Sequence, residues 1–289
     1  MSYTVNPVFE HYYQPKSVEE TVALLAQCGK EARVLAGGTV LINQMRSGAV
    51  APRHVINISR VAGLDEVRVA EEGELAIGAL ATLAKVARSS AVRKGWPLLH
   101  ETMLEIGVVQ QRNLATVVGN LCRPVPSADT AVALLVLEAS VLMSGAKGRR
   151  RVTMSDFLAG PRRTMMADSE MVTEVRVPPA PAGAGTAFVK LHAPKVNAAA
   201  FLLNSGGGCS EARIALGGVA QTPIRVPKAE ALLRGAKLDA QLIDEAGIAA
   251  QGETSPASDL RAGAEYRREM SRVLVARALE AAWNRTKRQ

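Results

Sequence analysis

Apolar positions along the chain switch between helical spacing and short continuous runs. Val18, Val22 and Leu25 share one helical face. Ser17 and Glu20, following Pro15, have the spacing of a capping box, and Gly29 supplies a stop, so a helix is predicted between them. Ala32 to Leu35 reads as a short buried strand, and after Gly37-Gly38 the stretch Thr39 to Met45 returns to helical spacing. His54 to Ile58, Val67 to Val69 and Leu75 to Ile77 predict further strands, with turns at Gly63 and Gly73. A second α/β segment runs from about Thr82 to Pro178. There Pro178, Pro179 and Pro181, with Gly183 and Gly185, form the clearest linker in the chain.

Beyond the linker, Ala187 to Leu191 and Ala212 to Gly217 predict strands around a turn at Gly206-Gly207-Gly208. Three helices follow: Lys228 to Leu233 with a stop at Gly235, a second capped by Asp239, and a last from about Tyr266 to Trp283. The last is expected to bury Met270, Val273, Leu274, Ala278 and Ala281 on one face. The chain contains no internal repeat and no low-complexity tract.

Composition narrows the class. A chain of 289 residues with 48% hydrophobic and 21% charged residues is globular and long enough for two or three subdomains. The longest apolar run, Thr130 to Met143, is broken by Glu138 and falls short of the roughly 20 residues that cross a bilayer, so no transmembrane helix is expected. The N-terminus, with Glu10, His11 and Gln14 among aromatics, lacks the form of a secretory signal, and a cytoplasmic protein is expected. Cys28, Cys122 and Cys209 are far apart and form no ligand set, and His11, His54, His100 and His192 are equally dispersed, so spacing predicts no metal site. The net charge of +8 is spread, apart from Arg149-Arg150-Arg151 and Arg285 to Arg288. With aromatics at 3% and no recognition module, nucleic acid is not the expected partner; an acidic subunit or an anionic cofactor accounts for the charge equally well.

Two segments carry candidate chemistry. Leu35-Ala36-Gly37-Gly38-Thr39 lies between a predicted strand and a predicted helix, where backbone N–H groups can converge on an anion; a tight turn is the simpler alternative. No Gly-Lys-Ser/Thr and no Gly-x-Gly-x-x-Gly is present, which excludes a nucleotide-hydrolase P-loop and a Rossmann fingerprint. The second segment, Gln111 to Asn120, is followed by Asp129; it offers hydroxyl, amide and backbone donors and a carboxylate, or reads alternatively as a turn into a helix capped by Ser127. Taken together, two such loops from neighbouring α/β units are what gripping a pyrophosphate from two sides requires.

The ordered set is more specific than its parts. Ala36-Gly37-Gly38-Thr39, Ile77-Gly78-Ala79, Arg112-Asn113-Leu114-Ala115-Thr116-Val117 with Gly119-Asn120, and Pro126 with Asp129 resemble the FAD-binding subunit of molybdenum hydroxylases, the family of the medium subunit of carbon monoxide dehydrogenase and the flavin domain of xanthine dehydrogenase. The likeness continues through Gly160-Pro161-Arg162-Arg163-Thr164, Glu170-Met171-Val172, Lys190, Ala215 to Ala220, Ser258-Asp259 and Tyr266-Arg267-Arg268, and covers the chain from about Phe9 to Trp283.

The resemblance implies an α+β fold: two N-terminal α/β FAD-binding subdomains of the PCMH flavin type, about 1–58 and 59–178, then a C-terminal domain, 179–289, of an antiparallel sheet with a three-helix bundle. It implies that Leu35, Ala36, Gly37, Gly38, Thr39, Val40 and Leu41 wrap the pyrophosphate while Thr116, Gly119 and Asn120 close over it. Asp129 accepts from the flavin's hydroxyls, Ile106 and Val172 supply apolar contacts, and Lys190 lies near the flavin as a positive charge. FAD is then the cofactor of this chain, with no catalytic side chain. Molybdopterin and [2Fe-2S] clusters belong to a large and a small partner subunit, in a dimer of heterotrimers that passes electrons through FAD to an external acceptor.

This chain departs from the family pattern in three places. Val118 stands where relatives have glycine, a costly exchange if the site needs a positive φ. Val196-Asn197-Ala198 replaces a Gly-Asp-aromatic pattern, and Cys122 is followed by no further cysteines that would complete an iron–sulfur insertion. The first two leave open an alternative, a flavin-poor or flavin-free structural subunit of the same kind of complex.

Overall fold

A computed structural model describes residues 9–193 and 195–287. The chain opens with β1 (His11–Tyr13), α1 (Val18–Cys28), β2 (Ala32–Leu35), α2 (Leu41–Arg46) and β3 (His54–Asn57). The Ser17 hydroxyl accepts from the Glu20 N–H, and the Glu20 carboxylate accepts from the Lys16 N–H, so the predicted cap forms with its return bond one residue early. Gly29, at φ 52°, ends the helix as expected. The three strands pair in parallel in the order β1-β3-β2.

A second sheet is built from β4 (Val67–Val69), β5 (Leu75–Gly78), β6 (Ser140–Gly145), β7 (Gly148–Thr153) and β8 (Glu170–Val177), in the order β4-β5-β8-β6-β7, with every pairing antiparallel. Between β5 and β6 the chain forms six helices: α3 (Leu83–Arg88), α4 (Ser90–Gly95), α5 (Pro97–Glu105), α6 (Val109–Arg112), α7 (Val117–Leu121) and α8 (Asp129–Val136). The short α9 (Met154–Phe157) follows β7. α8 is buried along its whole length, which is why its sequence reads as one continuous apolar run.

The third sheet holds β9 (Ala184–Leu191), β10 (Val196–Ser205), β11 (Gly208–Gly217) and β12 (Ile224–Arg225), antiparallel in the order β12-β11-β10-β9. Helices α10 (Pro227–Leu233), α11 (Ala240–Gly252) and α12 (Ala264–Thr286) complete the chain; α11 and α12 pack on each other, and α12 also packs on β9 and β10.

Strands β1, β6, β7, β8 and β12 were not individually predicted, and two further departures from expectation bear on the core. β10 was not predicted, and it is the strand that joins β9 to β11. Ala199 and Phe201 point to one hydrophobic core and Val196, Ala198, Ala200 and Leu202 to another, so both faces are apolar and the alternation that marks a half-buried strand is missing. On α12 Leu274 and Ala278 are buried as predicted, but the stripe runs on through Ser271, Val275, Leu279 and Ala282, and the predicted Met270, Val273 and Ala281 sit on its half-exposed shoulder. Two strands and a helix close around α12, so a wide arc is buried and small residues decide where contact is closest. No helix among the described residues is long and apolar enough to cross a membrane. Arg288 of the basic C-terminal cluster lies outside the described residues.

Candidate functional site

The site begins at the Gly37-Gly38 loop between β2 and α2. Leu35 through Thr39 and Leu41 are half-buried and Val40 is exposed, so the loop lies at the surface. Among the described residues, no protein acceptor meets the N–H groups of Gly37, Gly38, Thr39 and Val40. Unpaired N–H groups gathered in one loop are what an anion satisfies.

The second segment is held against the first. Leu83 N–H donates to the Ala115 carbonyl at 2.9 Å and Val117 N–H to the Ala81 carbonyl at 3.2 Å, pinning residues 115–117 beside the start of α3. The Leu114 carbonyl then faces Gly37: a Cβ on Gly37 would overlap that oxygen and lie 2.8 Å from the carbonyl carbon. Only glycine permits this approach, so the two predicted loops do meet.

Residues 117–121 form α7, capped by the Thr116 hydroxyl, which accepts from the Gly119 N–H at 2.9 Å. Thr116 is buried, and its oxygen serves that cap; Gly119 is exposed on the helix surface. Val118 is helical, is not among the positive-φ residues, and turns its side chain into the core. The feared strain is therefore absent, because a β-branched residue costs little at a helical φ. Asn120 accepts from the Thr130 hydroxyl through its side-chain oxygen, tying α7 to the start of α8.

Asp129, the first residue of α8, sits at the centre of a buried polar cluster. Its Oδ2 accepts from Lys190 Nζ at 2.7 Å and its Oδ1 from the Asn197 amide. Lys190 Nζ also donates to the Glu105 carbonyl at 3.0 Å, beside Ile106, and Glu105 pairs with His192 at 3.2 Å. Burial pushes the Asp129 carboxyl above its ordinary value, against the opposing pull of Lys190, Asn197 and His192. Ser127 does not cap α8; Ala128 holds that position without a side-chain bond.

The predicted residues thus fall into two groups and an outlier. Residues 35–41, 116, 119 and 120 form the loop pair; Asp129, Lys190 and Ile106 surround the buried ion pair; and the Asn120–Thr130 bond links the groups. Val172 stands apart, only 4% exposed within β8, where it belongs to the hydrophobic core that also holds Val117, Val118 and Leu121 of α7.

Two side chains that hold these segments in place were not among the predicted site residues. Asn197 holds Asp129. Arg112 donates from one nitrogen to the carbonyls of Leu104, Ile106 and Gly107 at 3.2, 3.2 and 2.9 Å, fixing the turn that presents Ile106. The signal for Arg112 was its place in the Arg-Asn-Leu-Ala-Thr motif; Asn197 had only its departure from the family pattern. Cys122 follows α7, half-buried, with its thiol pushed up to about 12 by burial.

Residues 6–180 match the family described as FAD binding domain in molybdopterin dehydrogenase, and residues 192–282 match the CO dehydrogenase flavoprotein C-terminal domain. The chain belongs to this flavoprotein family. The carbon monoxide dehydrogenase medium chain of Afipia carboxidovorans is 36% identical, over 96% of this chain and 97% of that protein. The putative xanthine dehydrogenase FAD-binding subunit of Escherichia coli is 29% identical, over 95% and 97%. A solved carbon monoxide dehydrogenase from Hydrogenophaga pseudoflava superposes with a TM-score of 0.94 at 36% identity, covering 97% of this chain and 99% of that one. The flavin subunit is thus an FAD-binding oxidoreductase subunit of the molybdenum hydroxylase type, with the mixed α+β architecture the resemblance implied.

Proposed function

We propose that this flavin subunit carries electrons within a heteromeric molybdenum hydroxylase. Substrate is oxidised at a molybdopterin centre in a large subunit, the electrons pass [2Fe-2S] clusters in a small subunit, and FAD held here delivers them to an external acceptor. A dimer of heterotrimers in the cytoplasm is the assembly this reading implies. FAD supplies the redox chemistry; the chain supplies position and charge.

The observation that carries the reading is the convergence of the 35–41 loop, whose N–H groups at residues 37–40 meet no acceptor among the described residues, on the loop at Leu114. Leu35, Ala36, Gly37, Gly38, Thr39, Val40 and Leu41 hold the pyrophosphate through backbone donors, and Gly119 and Asn120 close the other side, where the Asn120 amide nitrogen meets no protein acceptor among the described residues. Thr116 shapes that side by capping α7. Asp129 accepts from the flavin's hydroxyl chain, Lys190 balances its charge, Ile106 lies against the ring system and Val172 backs the site from the core. No side chain is assigned as a general acid or base.

Purification of the chain from its native source, with a flavin spectrum and metal analysis, tests this. The expected preparation contains one FAD per chain and co-purifying subunits with molybdenum and iron. A chain that stays colourless after reconstitution with FAD, or that isolates without molybdenum and iron subunits, contradicts it.

A further inference from the structure

Lys190, Asn197 and Gly217 stand side by side across three strands. Asn197 is directly opposite Lys190 on β9 and directly opposite Gly217 on β11. Directly opposed residues in an antiparallel pair project from the same face, so the three form one row. That face also carries Ala199, Phe201 and Ala215, which belong to the core shared with α8. The row therefore runs beneath the N-terminal end of α8, and its centre is the Asn197 amide, only 1% exposed.

The geometry of that amide is specific. Its nitrogen donates to Asp129 Oδ1 and lies 3.4 Å from the Ser127 carbonyl, two acceptors on the segment leading into α8. Among the described residues its oxygen meets no partner; it rests over Gly217, where a Cβ would overlap it and come within 2.9 Å of Val132 Cγ2. A buried carbonyl left unpaired costs free energy that an apolar residue of the same shape avoids. The side chain is thus matched to its site only through its donors, and their target is Asp129.

We infer that Asn197 is a positioning residue of the flavin site. Its amide holds the Asp129 carboxylate in one orientation, with Lys190 on the second oxygen, so that the remaining lone pairs are presented to the hydroxyl chain of FAD. The inference rests on the proposal that Asp129 contacts the flavin. Without the amide, Lys190 alone grips Asp129, at one oxygen, and the carboxylate is free to turn about that contact. The charged groups facing Asp129 are Lys190 from β9, His192 just beyond β9, and Glu105 at the end of α5, which pairs with His192. β10 and β11 add only the uncharged Asn197 and Gly217 to the row.

FAD titration of the full-length chain, from about pH 5 to about pH 9, tests the inference with three variants, each first shown to melt cooperatively. Asn197→Leu keeps the branched shape, with somewhat more bulk, and removes the donors; FAD affinity is expected to fall about ten- to a hundredfold, the value of a hydrogen bond to a charged group. In that variant the loss of affinity on acidification should begin at a higher pH than in the native chain, because Asp129 has lost a bond that favours its ionised form. Asn197→Asp can donate only while it shares a proton with Asp129, so it should hold FAD on the acid side and release it as pH rises, the opposite of the native slope.

Asn197→Leu with native affinity and native pH dependence overturns the inference. So do equal, pH-independent losses in the Leu and Asp variants, which is how a merely structural role would read out. Asp129→Asn separates the two proposals. If it binds FAD natively, the flavin contact itself is wrong; if it is weakened while Asn197→Leu is not, only the role of Asn197 falls.

Discussion

Gly37 and Leu114 touch backbone to backbone: any side chain on Gly37 would enter the space of the Leu114 carbonyl. The loop after β2 and the loop before α7 are thereby joined at their necks, 77 residues apart in sequence, and the N–H groups of residues 37–40, without acceptors among the described residues, lie beside the join.

Gly37→Ala should therefore separate the loops rather than unfold the chain. The clash is with backbone, which cannot rotate away, and overpacking of this kind costs about 1–3 kcal/mol. The expected result is a thermal midpoint lowered by a few degrees together with loss of bound FAD from the purified protein. Full retention of FAD would show that the join is not needed for the cofactor.

Lys190→Met should be more damaging than the double variant Lys190→Met with Asp129→Asn. The single change leaves a carboxylate buried without its cation, at a cost of about 3–5 kcal/mol, whereas the second change removes the charge that made the first expensive. Urea unfolding of both single variants and the double variant closes the cycle; additive losses would count against a coupled pair.

Acid should weaken the molecule partly through Glu170. The Arg150 guanidinium, bonded at 2.7 Å, holds its carboxyl below the ordinary value of 4.5. A carboxyl lowered in the folded state contributes stability above 4.5 and loses it as pH falls through that value and below. Asp129, raised above 3.8 by burial, has the opposite sign: its contribution is complete at low pH and is lost as pH rises through 3.8 and onward to its folded value. Glu170→Gln should flatten the acid limb of stability measured by denaturant melts; an unchanged limb would remove Glu170 from the account.

Gly217→Ala should reproduce Asn197→Leu without removing a polar group. The added methyl occupies the space of the Asn197 amide oxygen and pushes the amide away from Asp129. Weaker FAD binding with the acid limb moved to higher pH is the expected titration. A native titration curve would mean that the amide has room to move and still bond.

Local chemistry made much of the fold readable. The Ser17 cap, the Gly29 stop, the strand at residues 32–35 and the cap at Asp239 depend on neighbours within a few positions, and each appears where the sequence places it. The glycine loops were legible for the same reason, since a missing side chain is visible without knowing what approaches it. β10 was not legible: a strand apolar on both faces has no period to detect, and both faces are apolar only because α8 covers one and α12 the other.

From the sequence by itself come α1, α2, strands β2 to β5, β9 and β11, the three C-terminal helices, the absence of a long apolar span and the ordered motifs of a flavin subunit. Tertiary structure alone decided what those motifs touch. Val118 loses its supposed strain because α7 gives it a helical φ, Val172 withdraws into the core, and Asp129 meets partners 61 and 68 residues away. Caps and turns are short-range properties of the backbone. A buried carboxylate takes its character from whichever charges and amides the packed sheet brings within hydrogen-bond reach.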